Sequence, residues 1–162
     1  MVRDLGELGI NLQKIVTRLQ SNQQLLKLLY YTDKDPYNHA DLTSKQIQEE
    51  IFEKLVKIVP RVGPKETAKS LISLRVIRAA ANRDNDEFNS LTLCIEVFVP
   101  LTQWFIKDTN LRPFCIMGEI LKSLNHKVIN GIGRLEHVGF DLNFITEEIS
   151  CYEMTFSMID YE

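Results

Sequence analysis

The sequence predicts an α+β domain: N-terminal helices, an antiparallel β-hairpin, a helix and a C-terminal β-hairpin, the hairpins packed as one sheet with helices on one face. Three observations carry this. Apolar residues recur at helical spacing through the first 60 residues, the period changes to two from about residue 69, and strands arrive as adjacent pairs around a single later helix. Hairpins give antiparallel neighbours, unlike the parallel sheet of alternating βαβ units. The 162 residues, 44% apolar and 25% charged, read as a single domain over 1–162, with an N-terminal helical part at 1–60 and an α+β core at 61–162. A domain of this length buries roughly 70% of its unfolded surface and needs no disulfide or metal to hold a core.

Leu8, Leu12, Ile15, Val16 and Leu19 form one stripe, so residues 8–20 are expected to be an amphipathic helix. Ser21 restarts the pattern as an N-cap, and Leu25, Leu26, Leu28 and Leu29 give a second short helix. Asp33, Asp35, Pro36, Asn38 and Asp41 mark a surface loop. Thr43 or Ser44 caps a third helix over 44–58, with Ile47, Ile51, Leu55 and Ile58 three or four apart on one face, and Pro60 and Pro64 end it.

Ile72, Leu74 and Val76 then alternate with Ser73, Arg75 and Ile77, and Leu91, Leu93, Ile95, Val97 and Val99 alternate with Thr92, Cys94, Glu96 and Phe98. The run from Asn82 to Glu87 joins them as the charged tip of a hairpin. Pro113 opens a helix whose stripe is Phe114, Met117, Ile120, Leu121 and Leu124, and Asn125 with Asn130-Gly131 ends it and turns the chain. In the last hairpin Val138, Phe140, Leu142 and Phe144 share one face, Tyr152, Met154, Phe156 and Met158 another, and residues 143–150 turn between the strands.

Nineteen bases against 22 acids give a charge of −3, which argues against a protein whose main work is gripping nucleic acid. The distribution is uneven: residues 61–130 hold ten bases and seven acids, whereas residues 131–162 hold one base, Arg134, and seven acids. No apolar run approaches the roughly 18 residues of a membrane span, and Arg3, Asp4 and Glu7 do not resemble a signal peptide. Cys94, Cys115 and Cys151 fit neither a zinc ribbon nor a CxxC pair. His39, His126 and His137 have no partners spaced for a metal.

No catalytic constellation emerges. Asn130-Gly131-Ile132-Gly133-Arg134 lacks the third Gly and the Lys-Ser/Thr ending of a phosphate loop and precedes a strand, so it reads as a turn. Glu147 and Glu148 are adjacent and read as a solvated turn, not an acid–base pair. Arg75, Arg78 and Arg83 lack interleaved aromatics, and ion pairs to Glu87, Glu96 or a neighbouring subunit account for them better than a nucleic-acid patch. Trp104 is either a core-edge residue or an interface anchor. A small-molecule module or an enzyme would rest on Cys115, where helix amides could lower a thiol pKa.

The helices broken at Leu19-Gln20-Ser21-Asn22, the hairpin ending in Ile95-Glu96-Val97-Phe98-Val99, the following helix and the terminal hairpin closing on Tyr152-Glu153-Met154-Thr155-Phe156-Ser157-Met158 together resemble the tail-terminator (tail-completion) proteins of long-tailed phages. The likeness covers most of residues 8–161 and departs at residues 44–58 and the loop before them. The resemblance implies a structural virion protein, not an enzyme, needing no cofactor and no metal. It implies a homo-oligomer, a hexameric ring that caps the tail tube, stops its polymerisation and meets the head-completion or connector protein. Its partners would be the tail tube protein and that connector, with DNA passing through the bore without specific binding and no membrane involved. The location would be the tail or neck of the virion, after assembly in the host cytoplasm. A head–tail adaptor or stopper, or the tube cap of a contractile injection device, is the neighbouring alternative. In a ring the basic middle and acidic C-terminal segment are natural complementary surfaces. Arg83, Asp84 and Asp86 at the hairpin tip are then expected to touch the tube or a neighbour, Trp104 to pack at an edge, and Glu147 or Glu148 to line a lumen that does not hold DNA.

Overall fold

The computed structural model describes residues 5–58, 69–81, 84 and 88–159. Helix α1 (Leu5–Gln20) buries Leu8, Leu12, Ile15, Val16 and Leu19 along the expected stripe. The chain bends and α2 (Gln23–Tyr30) follows, but its N-cap is Asn22, not Ser21. Asn22 Oδ1 accepts from the Leu25 amide at 3.1 Å, and its Nδ2 donates to Ser123 Oγ at 3.0 Å, so the cap is also a tie to a later helix. Ser21 Oγ instead donates back to the Arg18 carbonyl at 2.7 Å, closing α1.

The third helix is shorter than its periodicity suggests. Helix α3 (Ser44–Gln46) begins at Thr43 with a capping box completed by Gln46, then widens into a π turn over Ile47–Ile51. Glu53 takes a left-handed conformation at φ +62°, the chain reverses, and Val56–Lys57 become strand β1. Residues 52–58 are therefore not helical. The Leu55 carbonyl accepts from the Ile72 amide at 2.8 Å, and this sheet pairing overrides the local four-residue spacing. Pro60 and Pro64 lie outside the described residues.

Strands β2 (Leu71–Ala81) and β3 (Phe88–Pro100) form the first hairpin. A two-stranded ribbon, β4 (Phe105–Ile106) and β5 (Asn110–Leu111), leads into α4 (Arg112–Leu124), with Pro113 in its first turn and Asn125 at its C-cap. After β6 (Val128–Ile129), Gly131 turns the chain at φ +85° into β7 (Gly133–Ile145) and β8 (Ile149–Ile159). The last turn is only residues 146–148, tighter than expected, because Thr146 Oγ1 accepts the Ile149 amide at 3.1 Å and lets both strands run on.

Both hairpins join one six-stranded sheet in the order β1-β2-β3-β8-β7-β6, and the class is α+β as the sequence predicts. The sheet is antiparallel except at its first pair, where Val56 lies opposite Ile72 and Lys57 opposite Ser73 in parallel. Leu93, Ile95, Met154, Phe156 and Leu135 share one face by register and are buried. Helix α4 covers that face with Ile116, Met117, Ile120 and Leu124, and α1 and α2 pack on α4. Together they form one hydrophobic core.

Candidate assembly surface

Strand β7 sits near one edge of the sheet, and only its beginning is covered among the described residues. The Leu135 amide donates to Lys127 O at 3.0 Å, its carbonyl accepts from the His126 amide at 2.8 Å, and the His137 amide donates to Asn125 Oδ1 at 2.9 Å. From Val138 to Ile145 no described residue pairs with the outer side of β7. Five large apolar side chains lie in this stretch, Val138, Phe140, Leu142, Phe144 and Ile145, each between 40% and 67% exposed. A run of that kind on an open edge is what soluble monomers avoid.

The face shared by these residues differs from the alternation of the sequence. Bulges between His137 and Gly139 and between Leu142 and Phe144 insert Val138 and Asn143 as extra residues. Phe140 and Leu142 therefore stand on the helix-covered face, opposite Met154 and Tyr152, whereas Phe144 is on the other face, opposite Cys151 and 6.1 Å from the Phe98 ring. A strict period of two cannot anticipate two inserted residues.

Beside Phe140 lies an aromatic cluster. Tyr152 is 6.1 Å from Phe140, 5.5 Å from Phe114 and 6.4 Å from Trp104 between ring centroids, and Phe114 is 6.2 Å from Phe140. Phe114 is 40% exposed because it lies at the margin of the α4 stripe, not in the core as expected, with Ile116 buried in its place. Trp104 is half-buried against Tyr152. Its position is fixed by Arg112, whose amide donates to the Trp104 carbonyl at 2.8 Å. The fully buried Arg112 guanidinium also holds four backbone carbonyls, of Gln103, Leu28, Tyr31 and Asp33, joining α2 and the loop after it to the start of α4. Nothing in the local sequence marks Arg112 as buried; its signal is tertiary.

At the opposite side of the sheet, β2 is paired outward only at Ile72 and Ser73 among the described residues. It carries Arg75 and Arg78 and no acid. Arg75 bridges Glu96, as expected, and also Glu153 on β8, a pairing between distant strands that the sequence does not disclose. Glu87 lies outside the described residues. Next to this bridge, burial and then Glu153 push the Cys94 thiol up to about 12, and burial and then Glu96 push the Cys151 thiol well above its ordinary range.

The remaining expected site residues are spread out. Asp84 is exposed at the tip of the first hairpin, and Arg83 and Asp86 lie outside the described residues. Glu147 and Glu148 are exposed in the β7–β8 turn, and the Glu148 carbonyl accepts from the Leu101 amide at 2.9 Å. Since β2 and β8 run one way and β3 and β7 the other, the two hairpin turns lie at opposite ends of the sheet. Trp104 is on the end shared with Glu147 and Glu148, away from Asp84. At Cys115 burial raises the thiol pKa, and this outweighs the Tyr37 hydrogen bond and Arg112, the reverse of the lowering expected from the helix amides. Among the described residues no group of three or more His, Cys, Asp or Glu could hold a metal, and no helix is long and apolar enough to cross a membrane.

The fold and the surface thus define an α+β domain with an open, apolar sheet edge flanked by aromatics. The chain belongs to the YomW family, whose model matches residues 22–158, from the start of α2 to nearly the end of β8. That family consists of phage-derived proteins of the yom region of Bacillus phage SPBc2, and the protein is phage-associated. No curated protein matches the chain.

Proposed function

We propose that this phage protein is a structural ring component of a phage tail, the terminator that caps the tail tube, stops its polymerisation and joins the tail to the head connector. The observation that carries the reading is the open edge of β7 from Val138 to Ile145, where large apolar side chains and backbone that no described residue pairs call for a covering chain. A closed ring covers such an edge in every copy. The protein acts by occupying a surface and needs neither catalysis nor a cofactor. The β2–β3 tip, with Arg83, Asp84 and Asp86, contacts the tube or a neighbouring subunit, and Trp104 anchors an interface at the opposite end of the sheet. Glu147 and Glu148 face the bore, where their charge keeps DNA sliding.

The test is the mass of the purified protein by light scattering, with electron micrographs of the oligomer and of the protein mixed with tail tubes. A ring with a bore that seats on tube ends supports the terminator. A ring that binds only head connectors points to an adaptor or stopper instead. A strict monomer at high concentration that ignores tubes overturns the assembly reading altogether.

A further inference from the structure

We infer that the open edge of β7 is filled by the β2 edge of a second copy of this chain, head to tail, so that the sheets of successive subunits run on as one. This rests on the ring reading and names the seam within it.

Strand direction allows it. β2 is antiparallel to β3, β3 to β8 and β8 to β7, so β7 of one copy meets β2 of an identically oriented copy in antiparallel fashion, the stronger of the two ladder geometries. Size also favours it. β7 offers the bulky Phe140, whereas β2 ends in Ala79, Ala80 and Ala81, side chains small enough to leave room for it.

Charge fixes both partner and register. On the outer part of β7, residues 138–145 carry one acid, Asp141, and no base, while on β2 Arg75 is already bridged to Glu96 and Glu153, which leaves Arg78 as the base for a partner. Arg78 is exposed and lies opposite Thr92, in line with Ser157; Asp141 is exposed and lies opposite Glu153. Ser157 and Glu153 are on the same face of β8, so Arg78 and Asp141 share a sheet face and meet across a continuing seam. Setting them opposite one another places Ala79 against Phe140 on the helix-covered face. A two-fold β7–β7 pairing would instead set Asp141 near its own copy and bulky residues against bulky ones. Only the head-to-tail contact uses two different surfaces and can close into a ring.

The experiment is a charge swap on the full chain. Arg78→Asp and Asp141→Arg are made singly and together, each checked for folding by circular dichroism, and their assembly is followed by light scattering across concentration. Each single variant is expected to raise the half-assembly concentration at least about tenfold, and the double variant to restore it to within about threefold of the wild type. Singles that assemble like the wild type, or a double no better than either single, overturn the seam while leaving the ring reading intact. A two-fold dimer also overturns it. A wild type that stays monomeric overturns both.

Discussion

Arg112 Nη1 donates to the Leu28 carbonyl at 2.6 Å with the whole side chain out of contact with water. Three more carbonyls, of Gln103, Tyr31 and Asp33, complete its partners, so a single cation ties the end of α2 to the ribbon before α4. Burial pulls its pKa down, and nearby Asp33 works against that pull. Arg112→Met is expected to cost roughly 3–5 kcal/mol, because it strands the carbonyls that the guanidinium satisfies. Arg112→Lys restores little, since an ammonium cannot reproduce the planar fork. Urea midpoints of the three proteins check this.

Gly131 reports on backbone geometry. At φ +85° a Cβ is already strained, and one built there would stand 2.3 Å from Asn11 Oδ1. Gly131→Ala is expected to destabilise by about 1–2 kcal/mol or more. Placing it in an Asn11→Ala background removes the clash but not the strain, so the double variant should lose less than the sum of the two single losses. Thermal melts of the four proteins form the cycle.

The two buried thiols make stability fall in alkali. Folding raises Cys94 from 9.0 to about 12 and also raises Cys151, so above pH 9 the unfolded chain releases protons that the folded chain keeps. The sign is therefore a loss of stability with rising pH, up to about 1.4 kcal/mol per pH unit for each thiol, beginning near pH 9. Melting temperatures from pH 8 to 10.5 should fall more steeply for the wild type than for Cys94→Ala.

Cys115 offers a kinetic check. Its pKa is raised by burial despite its place in the first turns of α4. At pH 7.5 no thiol of the native protein is expected to react with Ellman's reagent faster than free cysteine, and Cys94 and Cys151 should react only on unfolding. A fast thiol lost in Cys115→Ser would return the enzyme reading.

Much of the fold was legible because its signals are local. The stripe of α1, Pro113 at the start of α4 and the alternation through Ile95 and Val97 each follow from one segment's own periodicity. What was hidden depends on partners. Residues 52–58 read as helix until β2 claims Leu55 and Val56, and the bulges at Val138 and Asn143, which reassign Phe144 to the other face, have no composition of their own. The candidate surface was half legible: Trp104 and the acidic C-terminal segment stand out in the sequence, whereas the gathering of Phe114, Phe140 and Tyr152 around them needs the third dimension.

The bulge at Val138 has a counterpart at Ile77, the extra residue in β2 between Val76 and Arg78. An edge bent in this way is a poor template for a flat strand of arbitrary sequence. An apolar stretch that would otherwise invite fibrils is thereby given a keyed outline. In the assembly proposed above the kink would work as a safety catch, leaving the stretch open to a strand bent to match and awkward for all others.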